Sequence, residues 1–395
     1  MPRRQTAHRV ARTLSASLLT AALLATSACS HGGGLPAPQD STVLSMLSLV
    51  PGTDTRPFVV VNLYAKAADQ AKVERPKPGS SAKAVFRYLF KVTADAKTGT
   101  FLAPSELAAS RAGQLGRPDA FGFDVTNMDA DVQAGFGPDG VQAARGRFDK
   151  DRIHQRITNF PGLKGQVRQI SALNVTIDAW TNKGLTAGGN RPLPIGSFGG
   201  NIAVPDHGTL LYATREQQMR NAIGQLRGNG KSLADAADYR DAARALDDRD
   251  VFAAAFTVPP AGKPLGDRPG RRTSQATEQL APAKLVATAT GRQPGKDGKA
   301  GRAELVIVLV NKDDSAAKEN AKRLESMATK GSSFATRQPW SELVKVRSVT
   351  SHGRLTIGDF TTERGKTFGW TSCSGTTAWS RRAEGGPRIS EISRW

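Results

Sequence analysis

Thr209-Leu-Leu-Tyr-Ala213 and Val251-Phe-Ala-Ala-Ala-Phe-Thr-Val258 bracket the clearest structural signal in the chain. Both are short apolar runs of the composition that suits strands. Between them, Thr214-Arg-Glu-Gln217 has the spacing of a capping box, and Met219, Ile223 and Leu226 recur at helical intervals. Gly228-Asn-Gly230 ends that helix, and Ser232-Leu-Ala-Asp235 opens another that runs through Leu246. The unit reads as strand, helix, helix, strand, and each helix has one apolar face to bury.

Working outward, Phe58-Val-Val-Val-Asn-Leu-Tyr64 reads as a buried strand, and Val85-Phe-Arg-Tyr-Leu-Phe-Lys-Val92 as a second, separated by a loop with Pro76 and Pro78. Gln142-Ala-Ala-Arg-Gly-Arg-Phe148 looks like a strand leading to a helix capped by Asp149, with Ile153, Ile157 and Phe160 on one face. Downstream, Lys284-Leu-Val-Ala-Thr-Ala-Thr290 is expected to pair with Glu304-Leu-Val-Ile-Val-Leu-Val310. A helix follows from Asp313 or Asp314 to Lys330, burying Ala317, Ala321, Leu324 and Ala328 and stopping at Gly331. Leu343 to Val349 and Arg354 to Phe360 form a hairpin around Ser351-His-Gly353. The expected class is α+β: a largely antiparallel sheet with helices packed on one face, in one body or two lobes.

Arg3, Arg4, Arg9 and Arg12 precede the apolar run Leu14 to Ala25, the order of parts of a secretory signal. The run is short for a bilayer span, which needs about 20 apolar residues, so cleavage is expected rather than anchoring by the segment itself. Residues 1–28 are thus read as a signal peptide and 29–42, rich in Gly and Pro, as a flexible tether. Residues 43–258 form an α+β domain, 259–280 a basic linker or loop, 281–375 a second α+β lobe and 376–395 a C-terminal tail. Loss of four arginines with residues 1–28 lowers the formal charge from +20 to +16. In an exported chain such a balance favours anionic headgroups or acidic cell-wall polymers over nucleic acid.

Ala25-Thr26-Ser27-Ala28-Cys29 resembles the lipobox of bacterial lipoproteins. Together with Gly146-Arg-Phe-Asp149, Gly208-Thr-Leu-Leu-Tyr212, Ser232-Leu-Ala-Asp235 and Pro339-Trp340-Ser341, it makes the chain similar to secreted actinobacterial lipoproteins of unknown activity. The resemblance implies a diacylglycerol thioether on Cys29, cleavage before it, and attachment of the mature protein to the membrane. It implies no catalytic residue. Two or more acyl chains suffice for stable anchoring, at about 0.8 kcal/mol for each buried methylene. The chain has two cysteines, Cys29 and Cys373, so acylation of the first leaves the second without an intramolecular disulfide partner.

Motifs that suggest chemistry mostly fail on context. Gly230-Lys-Ser232, Asp267-Arg-Pro-Gly270 and Asn311-Lys-Asp-Asp314 imitate a nucleotide-binding set, but the position that should hold the first P-loop glycine is Gln225, inside the expected helix. Asn311 to Asp314 is better read as a strand end followed by a helix cap. His154, His207 and His352 are isolated and no cluster has zinc spacing. Asn127-Met-Asp129-Ala-Asp131 begins like a calcium loop, lacks the required Gly and Glu, and is read as a surface turn. Cys373 is the one candidate nucleophile, needing His207 or His352 as a base. Tyr64, Tyr88, Trp180 and Trp340 suit either the lining of a ligand cleft or the core.

The expected function is that of a membrane-anchored, non-catalytic binding or envelope-interaction lipoprotein without a cofactor. Its polyanion-binding residues would be Lys263, Arg268, Arg271, Arg272, Arg292, Lys296, Lys299 and Arg302, in two basic loops. The alternatives are an extracytoplasmic hydrolase or thiol enzyme centred on Cys373, and a carrier of a lipid or glycolipid.

Overall fold

The computed structural model describes residues 41–52, 58–77, 80–94, 105, 107, 121–135, 139–160, 163–181, 199–259, 280–292, 303–332 and 338–362. Eight helices and twelve strands alternate along them. The helices are α1 (Val43–Leu47), α2 (Tyr64–Ala71), α3 (Ala82–Ala94), α4 (Lys150–Thr158), α5 (Glu216–Leu226), α6 (Ala237–Asp247), α7 (Asp314–Lys330) and α8 (Trp340–Leu343). The strands are β1 (Phe58–Asn62), β2 (Met128–Ala134), β3 (Val141–Gly146), β4 (Val167–Ala172), β5 (Val175–Trp180) and β6 (Gly200–Asp206), then β7 (Thr209–Ala213), β8 (Val251–Thr257), β9 (Leu285–Arg292), β10 (Ala303–Val310), β11 (Val344–His352) and β12 (Leu355–Thr362).

All twelve strands join one sheet in the order β11-β12-β10-β9-β8-β1-β2-β3-β7-β6-β5-β4. Every pairing is antiparallel. The topology falls into two related halves. In one, the meander β1-β2-β3 is followed by α4 and by β4 to β7, and β7 returns beside β3. In the other, the meander β8-β9-β10 is followed by α7 and the hairpin β11-β12, and β12 returns beside β10. The halves join where β1 pairs with β8, Val60 opposite Ala255. Residues 259–280 fall between β8 and β9, which pair directly, so the sheet runs on across the segment read as a linker.

The chain is α+β with an antiparallel sheet. Helices cover both faces rather than one, which corrects that detail of the expectation. Ala255 lies in a core cluster with Leu324 of α7, whereas the next residue, Phe256, meets Tyr239 of α6 with ring centroids 5.6 Å apart. Successive strand residues point to opposite faces, so α6 and α7 lie on opposite sides. The α6 side also carries α1 and α5, because Asp247 accepts the Val43 and Leu44 amides of α1 and Gln225 of α5 donates to the Ser48 carbonyl. Coverage on both faces explains why central strands such as Val251-Phe-Ala-Ala-Ala-Phe256 are small or apolar throughout instead of alternating.

Several local expectations hold. Asp149 caps α4 through the Arg152 amide, and Asp313 caps α7 through the Ala316 amide at 2.8 Å. β9 pairs with β10 and β11 with β12 about a turn at Gly353. Others change. Thr214 is not the N-cap of α5, which is Arg215 and makes no side-chain capping bond; Ser232 and Asp235 cap a short 3-10 turn ahead of α6. On α7 the buried residues include Asn320, which bonds Asn311 and both backbone groups of Ala281, while Ala321 is only half-buried.

Two corrections matter for the site. Val85 to Val92, read as a strand, belongs to helix α3: Val85, Tyr88 and Val92 recur on one helical face and are buried, whereas a strand would have set Arg87 and Lys91 beside Val85. Asn127 to Asp131, read as a surface turn, leads into β2, which is buried along its whole length. Asp129, Asp131 and Gln133 alternate there with Ala130, Val132 and Ala134, so β2 turns a polar edge to one side and an apolar one to the other.

Candidate functional site

The polar edge of β2 lies under the layer formed by α2 and α3. Asp131 and Asn62 are register partners, and the Asn62 Nδ2 donates to Asp131 Oδ1 at 2.8 Å. The Tyr64 hydroxyl at the start of α2 donates to Oδ2 at 2.9 Å, and the Ser105 hydroxyl donates to the same oxygen at 2.6 Å. Burial pushes the Asp131 carboxyl up despite those three donors. Burial also holds the Tyr64 phenol well above its usual value, with the Asp131 charge adding to the effect.

Two residues earlier on β2, Asp129 forms an ion pair with Arg75 at 2.6 Å, and both side chains are largely covered. Burial works against the Arg75 charge, and Asp129 and Tyr88 together more than offset it, so the guanidinium stays protonated. Tyr88 of α3 lies beside this pair, its phenol pushed up by burial and opposed by the Arg75 charge. Arg75 comes from the connection between α2 and α3, so the ion pair ties that connection to the sheet. Both oxygens of Asp131 are met by protein donors, and Asp129 Oδ1 is engaged by Arg75. The group gives the helices above a polar seat.

The α3 helix is held down by Tyr88 and Val92, which join the cluster that contains Tyr64, Phe121, Phe148, Trp180 and Tyr212, with Leu89 packed against it; Val85, on the same side of the helix, is buried too. Its opposite side is unusual. Phe86 is 44 % exposed and Phe90 53 %, one turn apart, with ring centroids separated by 6.5 Å. Lys83, Arg87 and Lys91 are exposed next to them at four-residue intervals, and the helix contains no acidic residue. The face therefore combines an aromatic stripe with a basic one.

A second polar group sits where α4 packs over β4 and β5. The half-exposed His154 places Nδ1 2.8 Å from Asp178 Oδ1, and Gln169 Nε2 donates to that oxygen at 3.3 Å. A carboxylate oriented on an imidazole in this way fixes the ring; acid-base catalysis would further need a reacting group within reach. Among the described residues no set of three or more His, Cys, Asp or Glu side chains is gathered closely enough to hold a metal ion. His207 lies in the exposed turn between β6 and β7 and His352 at the exposed end of β11.

The residues expected from sequence fare unevenly. Cys29, Cys373, Lys263, Arg268, Arg271, Arg272, Lys296, Lys299 and Arg302 lie outside the described residues. Arg292 is on β9 and 4 % exposed, so it is corrected out of the solvent-facing polyanion set: a guanidinium so covered does not meet a macromolecular anion. Tyr64, Tyr88 and Trp180 pack in one core cluster and Trp340 in another. The α3 face was missed because its residues read as a strand; the signal that would have found it is the spacing of Lys83, Arg87 and Lys91 beside Phe86 and Phe90.

No family model matches the sequence, and no curated protein matches it. Among solved structures, crystal form III of TP0453 aligns with a TM-score of 0.39 and 9 % identity, covering 83 % of this chain and 97 % of that one. Crystal form I of TP0453 aligns with a TM-score of 0.37 and 8 % identity, over 84 % and 96 % of the two chains. At these scores the likeness is too remote to bear on activity. Among the described residues no helix is long and apolar enough to cross a membrane.

Proposed function

We propose that the protein is an exported lipoprotein, held to the membrane through Cys29, whose folded body binds an anionic component of the envelope without catalysing a reaction. The observation that carries this reading is the outer face of α3. There Lys83, Arg87 and Lys91 project into solvent from a helix with no acidic residue, on a chain of formal charge +20. A basic stripe of this kind attracts phosphate-bearing lipids or polymers, and the attraction weakens as salt shortens its range to about 8 Å at physiological ionic strength. The lipobox-like Ala25 to Cys29 supplies the location.

Residues Ala37–Trp395 form one compact unit and lack the anchor, so they test the body alone. Cosedimentation of this unit with anionic vesicles and with a polyglycerol phosphate polymer is expected to show binding at low salt that declines as salt is added. Absence of binding to both at low salt would overturn the reading.

A further inference from the structure

We infer that the outer face of α3 is a membrane-docking surface, with Phe86 and Phe90 entering the headgroup region of an anionic phospholipid bilayer while Lys83, Arg87 and Lys91 pair with its phosphates. The inference rests on the envelope-binding reading above and names the partner. Exposed aromatic side chains are the first reason. Among the described residues three large hydrophobic side chains are exposed, Phe86, Phe90 and Leu173, and two of them lie side by side on this one helix. An acidic polymer would satisfy the basic stripe but gives no use for two solvated phenyl rings; a bilayer interface takes both.

Arrangement is the second reason. On a helical wheel Phe86 and Phe90 fall beside one another, and Lys83, Arg87 and Lys91 continue the same exposed arc. That is the distribution of a helix lying in the plane of an interface, with rings at the headgroup and acyl boundary and cations at phosphate level. The buried face of α3, Val85, Tyr88 and Val92, stays packed on the body, so docking needs no unfolding of the helix.

The test uses residues Ala37–Trp395 with vesicles of phosphatidylcholine alone or mixed with phosphatidylglycerol, at low salt, and with the polyglycerol phosphate polymer as comparison. Binding is expected to the phosphatidylglycerol vesicles and not to phosphatidylcholine alone. The double variant Phe86→Ser, Phe90→Ser should lose about tenfold or more of the vesicle affinity, since insertion of each ring removes apolar area from water, while binding the polymer as well as the parent. The triple variant Lys83→Gln, Arg87→Gln, Lys91→Gln should lose both. A Phe90→Trp variant should shift its emission to shorter wavelength on vesicles and be quenched by lipids brominated in the acyl chain near the headgroup. Circular dichroism and the unfolding midpoint of each variant should match the parent, because the altered side chains are exposed.

Vesicle binding unchanged in the double phenylalanine variant, or no quenching of the Phe90→Trp variant on bound vesicles, would overturn the docking inference and leave the envelope-binding reading standing. Binding to the polymer without binding to vesicles would do the same. Failure to bind either would sink the broader reading as well.

Discussion

Asp131 shows how a single side chain can be settled by groups far along the chain. Its carboxylate is 1 % exposed and is met by Asn62, Tyr64 and Ser105. Because burial raises its folded pKa, the folded and unfolded carboxyls are both protonated below about pH 3.9, and no stability is lost to this group there. As the pH rises, the unfolded chain ionises first, so the wild type loses stability up to the folded value and stays at that lower level beyond it. Asp131→Asn removes the titration at the cost of one mismatched hydrogen bond, about 1–3 kcal/mol. Urea unfolding should find the variant less stable at pH 4 and its deficit smaller at pH 8; a deficit that grows with pH would contradict the assignment. Gly146 makes a steric case. A Cβ there would overlap the Asn127 carbonyl oxygen, which already accepts the Arg147 amide. Gly146→Ala should therefore cost about 1–3 kcal/mol, read as a lower unfolding midpoint. None of this was legible in the local sequence. Asp129 and Asp131 read as a surface turn because their partners, Asn62, Arg75 and Ser105, lie dozens of residues away, and a buried polar strand is recognised only by the groups that satisfy it.

Elements were legible in proportion to how much of their environment is local. The α7 helix announces itself through the Asp313 cap, apolar residues at helical intervals and Gly331 as a stop, and all three are found in the fold. Asp313→Ala should lose about 1 kcal/mol, and Leu324→Ala, emptying a site among Val60, Ala255 and Phe360, about 2–5 kcal/mol. Chemical denaturation of both variants would rank them; a cap loss larger than the core loss would mean that α7 is held by its end rather than by its packing. The α3 helix was misread because Val85 to Val92 is apolar or aromatic at six of eight positions, and such a run fits strand and helix alike. Its exposed phenylalanines blurred the periodicity, and they are also the reason to assign the helix a function. Strands β4, β5 and β6 were missed for the opposite reason: β4 is an edge strand, half-exposed, with little apolar signal, and the tight turn to β5 uses Leu173 and Asn174 at φ 48° and 64°, where the usual glycine is absent.

At the scale of the molecule, the sequence conveyed the antiparallel α+β class and not the way its parts combine. Two meanders that each take back a returning strand merge through β1 and β8 into one sheet, and only long-range pairing makes that visible. The basic character was legible as a total, whereas its distribution was not: Arg292 turns inward, and α3 supplies an outward basic face that no loop expectation contained. Attachment is the remaining element. Replacing Cys29 by Ser should move the protein from the membrane fraction toward the soluble one at high salt, where contacts through α3 are screened. The most direct test of the account is the intact mass of the protein extracted from the membranes of a bacterium that expresses it. A chain beginning at Cys29 and carrying the added mass of a diacylglycerol is the result expected. A chain that keeps residues 1–28, or one that begins elsewhere with Cys29 unmodified, would contradict the anchored-lipoprotein reading on which the proposed function stands.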